Sequence, residues 1–86
     1  MYPPASPVRF AELRQLLLEL RFKQETLESG HFQFGHAQSD TAFLFRPYQP
    51  EDFVIEVHYR MVRRILDERG LMNADEFDRV LTKVSA

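Results

Sequence analysis

The sequence predicts an α+β fold: a three-stranded antiparallel sheet packed on helices, in the order α-β-β-β-α with an added C-terminal helix. Three observations lead there. Apolar residues recur at helical spacing before Phe22 and after Ile55, and at steps of two between them. Pro47 and Pro50 close the alternating stretch, because proline has no N–H to give to an interior ladder. The 86 residues fit one domain, so all the elements must share one small core, for which eight Phe supply much of the volume.

Residues 1–6, "MYPPAS", read as an extended lead-in. Ser6 followed by Pro7 is a candidate N-cap with proline at the first helical position. From there Phe10, Leu13, Leu17 and Leu20 form a stripe that Leu16 widens, while Arg9, Glu12, Arg14, Glu19 and Arg21 fill the solvated side.

After Phe22 the period changes. "KQETLES" is polar around Leu27, as an edge strand is. "HFQFGH" alternates, with Phe32 and Phe34 on one face and His31 and Gln33 on the other. "AQSD" supplies a turn. "TAFLFRP" is the third strand, with Phe43 and Phe45 on one side and Ala42 and Leu44 on the other. That strand is apolar on both faces. Either the C-terminal helix covers its second face, which the pattern favours slightly, or that face is left for a partner.

The second helix is expected from about Ile55 to Arg69, burying Val57, Met61, Val62, Ile65 and Leu66. Gly70 reads as its C′ glycine, with Leu71 folding back on Leu66 in a Schellman motif. "NADE" starts a third helix over 73–84: Asn73 is the N-cap and Glu76 sits at N3, with Phe77, Val80, Leu81 and Val84 as its stripe.

Composition removes several function classes. Without cysteine there is no disulfide, zinc-thiolate site or thiol nucleophile, a usage that suits a reducing cytoplasm. A formal charge of −2 argues against gripping nucleic acid by bulk electrostatics. No stretch reads as a signal peptide or a membrane span, so a cytoplasmic chain with no membrane contact is expected.

The segments "ELRQLLLELRF", "SGHFQFGH", "FLFRP" and "MVRRILDERGL" resemble, over about residues 10–71, the HicA family of toxins. These are small mRNA interferases with a double-stranded-RNA-binding-like fold. Arg21 stands where the family usually has glycine, Ser and Gly are exchanged in the turn before His31, and the helix after Asn73 is an addition. The resemblance implies a metal-independent endoribonuclease with no cofactor, acting on mRNA and restrained by an antitoxin, with His31 at the catalytic position.

The residues themselves allow that chemistry. Gly30 permits a tight turn, Ser29 can orient the His31 ring, and the strand phase turns that ring away from Phe32 and Phe34. An imidazole, with an ordinary pKa of about 6.5, can move protons near neutrality. The alternative is a surface histidine that begins a strand. His36, on the Phe side, reads as structural, and five residues on a strand place it opposite His31, so the two form no metal pair. His58 reads as a satisfied, half-buried helix residue. Arg60, Arg63 and Arg64 share one helical quadrant and could hold a phosphate; a solvated face paired with Glu56, Asp67 and Glu68 is the alternative. Arg46 and Tyr48, flanking Pro47, are further candidates for RNA contact. The competing class is a non-catalytic protein- or RNA-interaction module that uses its two-sided aromatic strand to bind a partner, or itself as a homodimer through the sheet.

Overall fold

The computed structural model describes residues 5–84, with side chains through residue 81. Its elements are β1 (Ala5–Arg9), α1 (Phe10–Glu19), β2 (Lys23–Thr26), β3 (Phe32–His36), β4 (Thr41–Phe45), β5 (Phe53–Ile55), α2 (Glu56–Glu68) and α3 (Ala74–Val84), with a 3₁₀ turn at Ala37–Ser39. The fold is α+β, and the expected antiparallel sheet is present in the order β2-β3-β4. Phe32 pairs with Phe45 and Phe34 with Phe43, which puts all four rings on the inner face.

A second, two-stranded antiparallel sheet, β1-β5, departs from the expectation. The expected lead-in, so far as it is described, is a strand, and residues 1–4 lie outside the described residues. Ser6 does not cap α1. Its hydroxyl donates to the Val54 carbonyl at 2.7 Å, across the sheet. Pro7 is tolerated because the register shifts between Ala5 and Arg9, where a missing donor breaks no regular ladder. The first helical N–H groups instead find carbonyls in the loop before β5: Phe10 N–H donates to Asp52 O at 2.7 Å and Ala11 N–H to Pro50 O at 2.9 Å. Pro47 and Pro50 therefore close one sheet but not the strand content, since Phe53–Ile55 follows them.

Phe10, the first residue of α1, is the hub of the core. Its ring stacks between Phe32 at 5.4 Å and Tyr48 at 4.9 Å, and meets Phe34 and Phe45 edge-on. Leu13, Leu17, Val62, Leu66, Phe77 and Leu81 complete the buried set.

α1 ends in a Schellman motif, with Phe22 N–H on Leu17 O and Arg21 N–H on Leu18 O. The left-handed position belongs to Arg21, at φ 76°. α2 ends the same way, with Gly70 at φ 72° and Leu71 N–H on Leu66 O at 2.9 Å, as the sequence implies. Asn73 caps α3 by accepting the Glu76 N–H at 2.8 Å.

Three burial expectations fail. Val80, expected in the α3 stripe, is exposed, while Phe77 and Leu81 alone of its described members turn inward. Val57 is 67% exposed, because α2 turns Val62 and Leu66 inward and Val57 lies off that stripe. The C-terminal helix does not cover the outer face of the sheet. α3 packs on α2 and β1, and Leu44 is left 57% exposed. The Val84 side chain lies outside the described residues.

Candidate functional site

The five residues 27–31 join β2 to β3. Leu27 N–H donates to His31 O and Gly30 N–H to Leu27 O, both at 2.9 Å. Gly30 takes φ 90°, a conformation that side chains rarely adopt, so the glycine before His31 has a backbone reason. Ser29 Oγ lies 2.9 Å from His31 Nδ1. In the tautomer with Nδ1–H donating to that oxygen, Nε2 keeps a lone pair and can accept a proton. His31 is half-buried, and Ser29 is exposed beside it.

The β3–β4 register continues past the last paired residues. A Cβ built on Gly30 would stand 3.6 Å from Pro47 Cβ, which carries the Phe32–Phe45 pairing one step beyond His31 and Arg46. His31 and Arg46 are therefore the first residues of their two segments beyond the last paired residues of the ladder. The Arg46 guanidinium sits over the Tyr48 ring, 4.9 Å from its centroid.

Tyr48 is only 3% exposed. Its hydroxyl accepts the Ile55 N–H at 3.0 Å and lies 2.7 Å from His58 Nδ1. In the tautomer with the His58 proton on Nε2, the phenol donates to Nδ1 while accepting from Ile55. Burial, and secondarily the Arg46 charge, hold the His58 imidazole below its ordinary pKa. Burial likewise raises Tyr48. As a surface for an RNA base Tyr48 is unavailable, being an anchor beneath Arg46.

The three α2 arginines occupy different environments. Arg60 pairs with Glu56 at 2.6 Å, the i,i+4 pairing that the sequence offers. Arg63 donates from Nε to both carboxylate oxygens of Asp78, at 3.0 and 3.1 Å. That bond crosses from α2 to α3, to a carboxylate that spacing within α2 cannot reveal. Asp78 also accepts the Tyr59 hydroxyl at 2.6 Å. Burial would raise its pKa, but the Tyr59 and Arg63 hydrogen bonds outweigh this and hold it below the usual value. Arg64 is exposed. The groove that these arginines line, with Glu56, Tyr59 and Asp78, does not include His31.

His36 is buried against the Phe22 ring at 5.1 Å, and its Nδ1 caps the 3₁₀ turn by accepting the Ser39 N–H at 3.3 Å. On the outer face of the sheet a depression of about 560 Å³ lies between Arg21, Lys23, Glu25, Gln33 and Gln38. Among the described residues, no group of three or more His, Asp or Glu could hold a metal ion, and no helix is long and apolar enough to cross a membrane. No family model, curated protein or solved structure matches the chain.

Proposed function

We propose that the chain is a HicA-like, metal-independent endoribonuclease on a double-stranded-RNA-binding-like frame, acting on mRNA in the cytoplasm under the control of an antitoxin. The observation that supports this best is that His31, with Ser29 on its ring, and Arg46 both stand just beyond the Phe32–Phe45 pair. His31 Nε2 takes the proton of a ribose 2′-OH, the 2′-oxygen attacks the adjacent phosphorus, and the 5′-oxygen leaves with a proton from water. Arg46 holds the phosphate oxygens while charge builds on them. Arg64 is the α2 residue left for the phosphate backbone, since Arg60 and Arg63 already serve carboxylates.

The second reading is a non-catalytic interaction module, favoured by those same two ion pairs and by the open outer face around Leu44. Tightly controlled expression, with growth and mRNA half-lives followed, separates the two. For the enzyme, wild type arrests growth and shortens mRNA lifetimes, and His31→Ala, still folded, loses both by roughly 10²-fold or more. A folded wild type that does neither leaves the module. Unchanged toxicity in His31→Ala removes His31 from the chemistry.

A further inference from the structure

β4 is an edge. Among the described residues it pairs with β3 alone, and its other side makes no backbone hydrogen bond. An edge of five residues with apolar side chains on both faces is an open template for another strand. Natural edges are commonly protected by a proline, an inward-pointing charge or a covering helix. Thr41–Phe45 contains neither a proline nor a charge, α2 reaches only its two ends, through His58 on Phe45 and Arg69 on the Ser39 carbonyl, and α3 packs elsewhere.

What the edge fits is written in its flanks. The stretch Asp40–Thr41–Ala42–Phe43–Leu44–Phe45–Arg46 carries an acid at one end and a base at the other, equally far from Phe43. We propose that two copies of the chain pair antiparallel through β4, centred on Phe43, joining the two three-stranded sheets into one of six strands. Asp40 ends the 3₁₀ turn in the left-handed conformation, at φ 53°, one residue outside the strand. In that register it comes alongside Arg46 of the other copy, twice by symmetry, and both side chains are exposed and long enough to pair from beyond the strand ends. Residue parity is kept as well. Phe43 and Phe45 stay on the core face of the continuous sheet, and each Leu44 lies beside the other copy's Ala42 on the outer face. Moving the centre by one whole residue preserves the faces only if the charges are lost: Asp40 would then oppose Leu44 or residue 48. A half-residue shift turns core side chains outward. The charges at Asp40 and Arg46 and the pleat thus select the same register.

Strand pairing and Leu44 burial supply the attraction, while the two ion pairs set direction and register. An interface this small lies below the standard size of roughly 1,600 Å², so the dimer dissociates on dilution. It also takes Arg46, so assembly and phosphate binding compete for one cation. The dimer itself does not rest on RNA cleavage.

Sedimentation velocity on the full chain over a wide concentration range is the test. Wild type should pass from monomer to dimer. Asp40→Arg and Arg46→Asp should each weaken association by roughly tenfold or more, because each sets like charges against each other twice. Mixing these two variants should restore a dimer, with two complementary pairs in the heterodimer. Circular dichroism checks that both variants are folded. Independently, the wild-type amides of residues 41–45 should become slower to exchange as concentration rises. A wild type monomeric to millimolar concentration overturns the proposal. So does a dimer indifferent to both reversals, or folded variants that fail to reassociate on mixing. Since no outcome reads RNA cleavage, failure here is separate from failure of the ribonuclease.

Discussion

The ring of Tyr48 lies 4.9 Å from that of Phe10, the two inclined by only 15°. This contact ties the loop after β4 to the start of α1, and it decides which residues of the "FRPYQP" stretch face outward. Because the tyrosine is taken by the core, of Arg46 and Tyr48 only the arginine is left on the surface, its guanidinium over the Tyr48 ring.

Phe10→Ala should therefore be among the costliest single changes. It removes the ring that touches Phe32, Phe34, Phe45 and Tyr48 together, and a core Phe→Ala typically costs about 3–5 kcal/mol. Urea unfolding should show most of the domain's stability gone. Tyr48→Phe keeps the stack but strands the Ile55 N–H and His58 Nδ1, and should cost about 1–3 kcal/mol.

Stability should fall on mild acidification because of His58. Its pKa in the folded state lies below the ordinary imidazole value of about 6.5. Between those two values the unfolded chain binds a proton that the folded chain refuses, so the contribution is complete above pH ~6.5, declines as pH falls toward the folded pKa, and flattens below it. Melting temperatures followed from pH ~7.5 downward should show this decline, and His58→Gln should flatten it.

Arg21→Gly should stabilise the protein. Arg21 holds φ 76° at the C′ position of α1, where a Cβ costs about 1–2 kcal/mol, part of which glycine returns through its freer unfolded chain. A net gain of up to about 1 kcal/mol corresponds to a rise in Tm of roughly 4–8 °C for a domain of this size. A lower Tm would mean that the Arg21 side chain makes a contribution larger than its strain.

Docking of α3 should depend on Asp78. Its carboxylate receives both the Tyr59 hydroxyl and Arg63, and Tyr59 itself is driven well above its ordinary pKa by burial and then by that carboxylate. A double-mutant cycle with Tyr59→Phe and Asp78→Ala should give a coupling of about 1 kcal/mol, read by urea unfolding. Amide exchange in 74–81 should accelerate in either variant.

Much of this protein is legible without coordinates. Helical spacing places α1 and α2 to within a few residues, step-two alternation places β3 and β4 with the right faces inward, and Gly70 and Asn73 mark their caps, since each of these depends on chain geometry within a few residues. The same local reasoning puts His31 after a tight Ser29–Gly30 turn and His36 on the buried side. Relations between distant segments are what the tertiary structure decided. Ser6 and Pro7 carry a helix-start signature, but the Val54 carbonyl and the Asp52 and Pro50 carbonyls take those roles from across the fold, turning a cap into a strand. Tyr48 became core, Arg63 found Asp78 on another helix, and the Arg46 guanidinium settled over the Tyr48 ring, because each depends on which surfaces pack, and packing is settled by the whole chain at once.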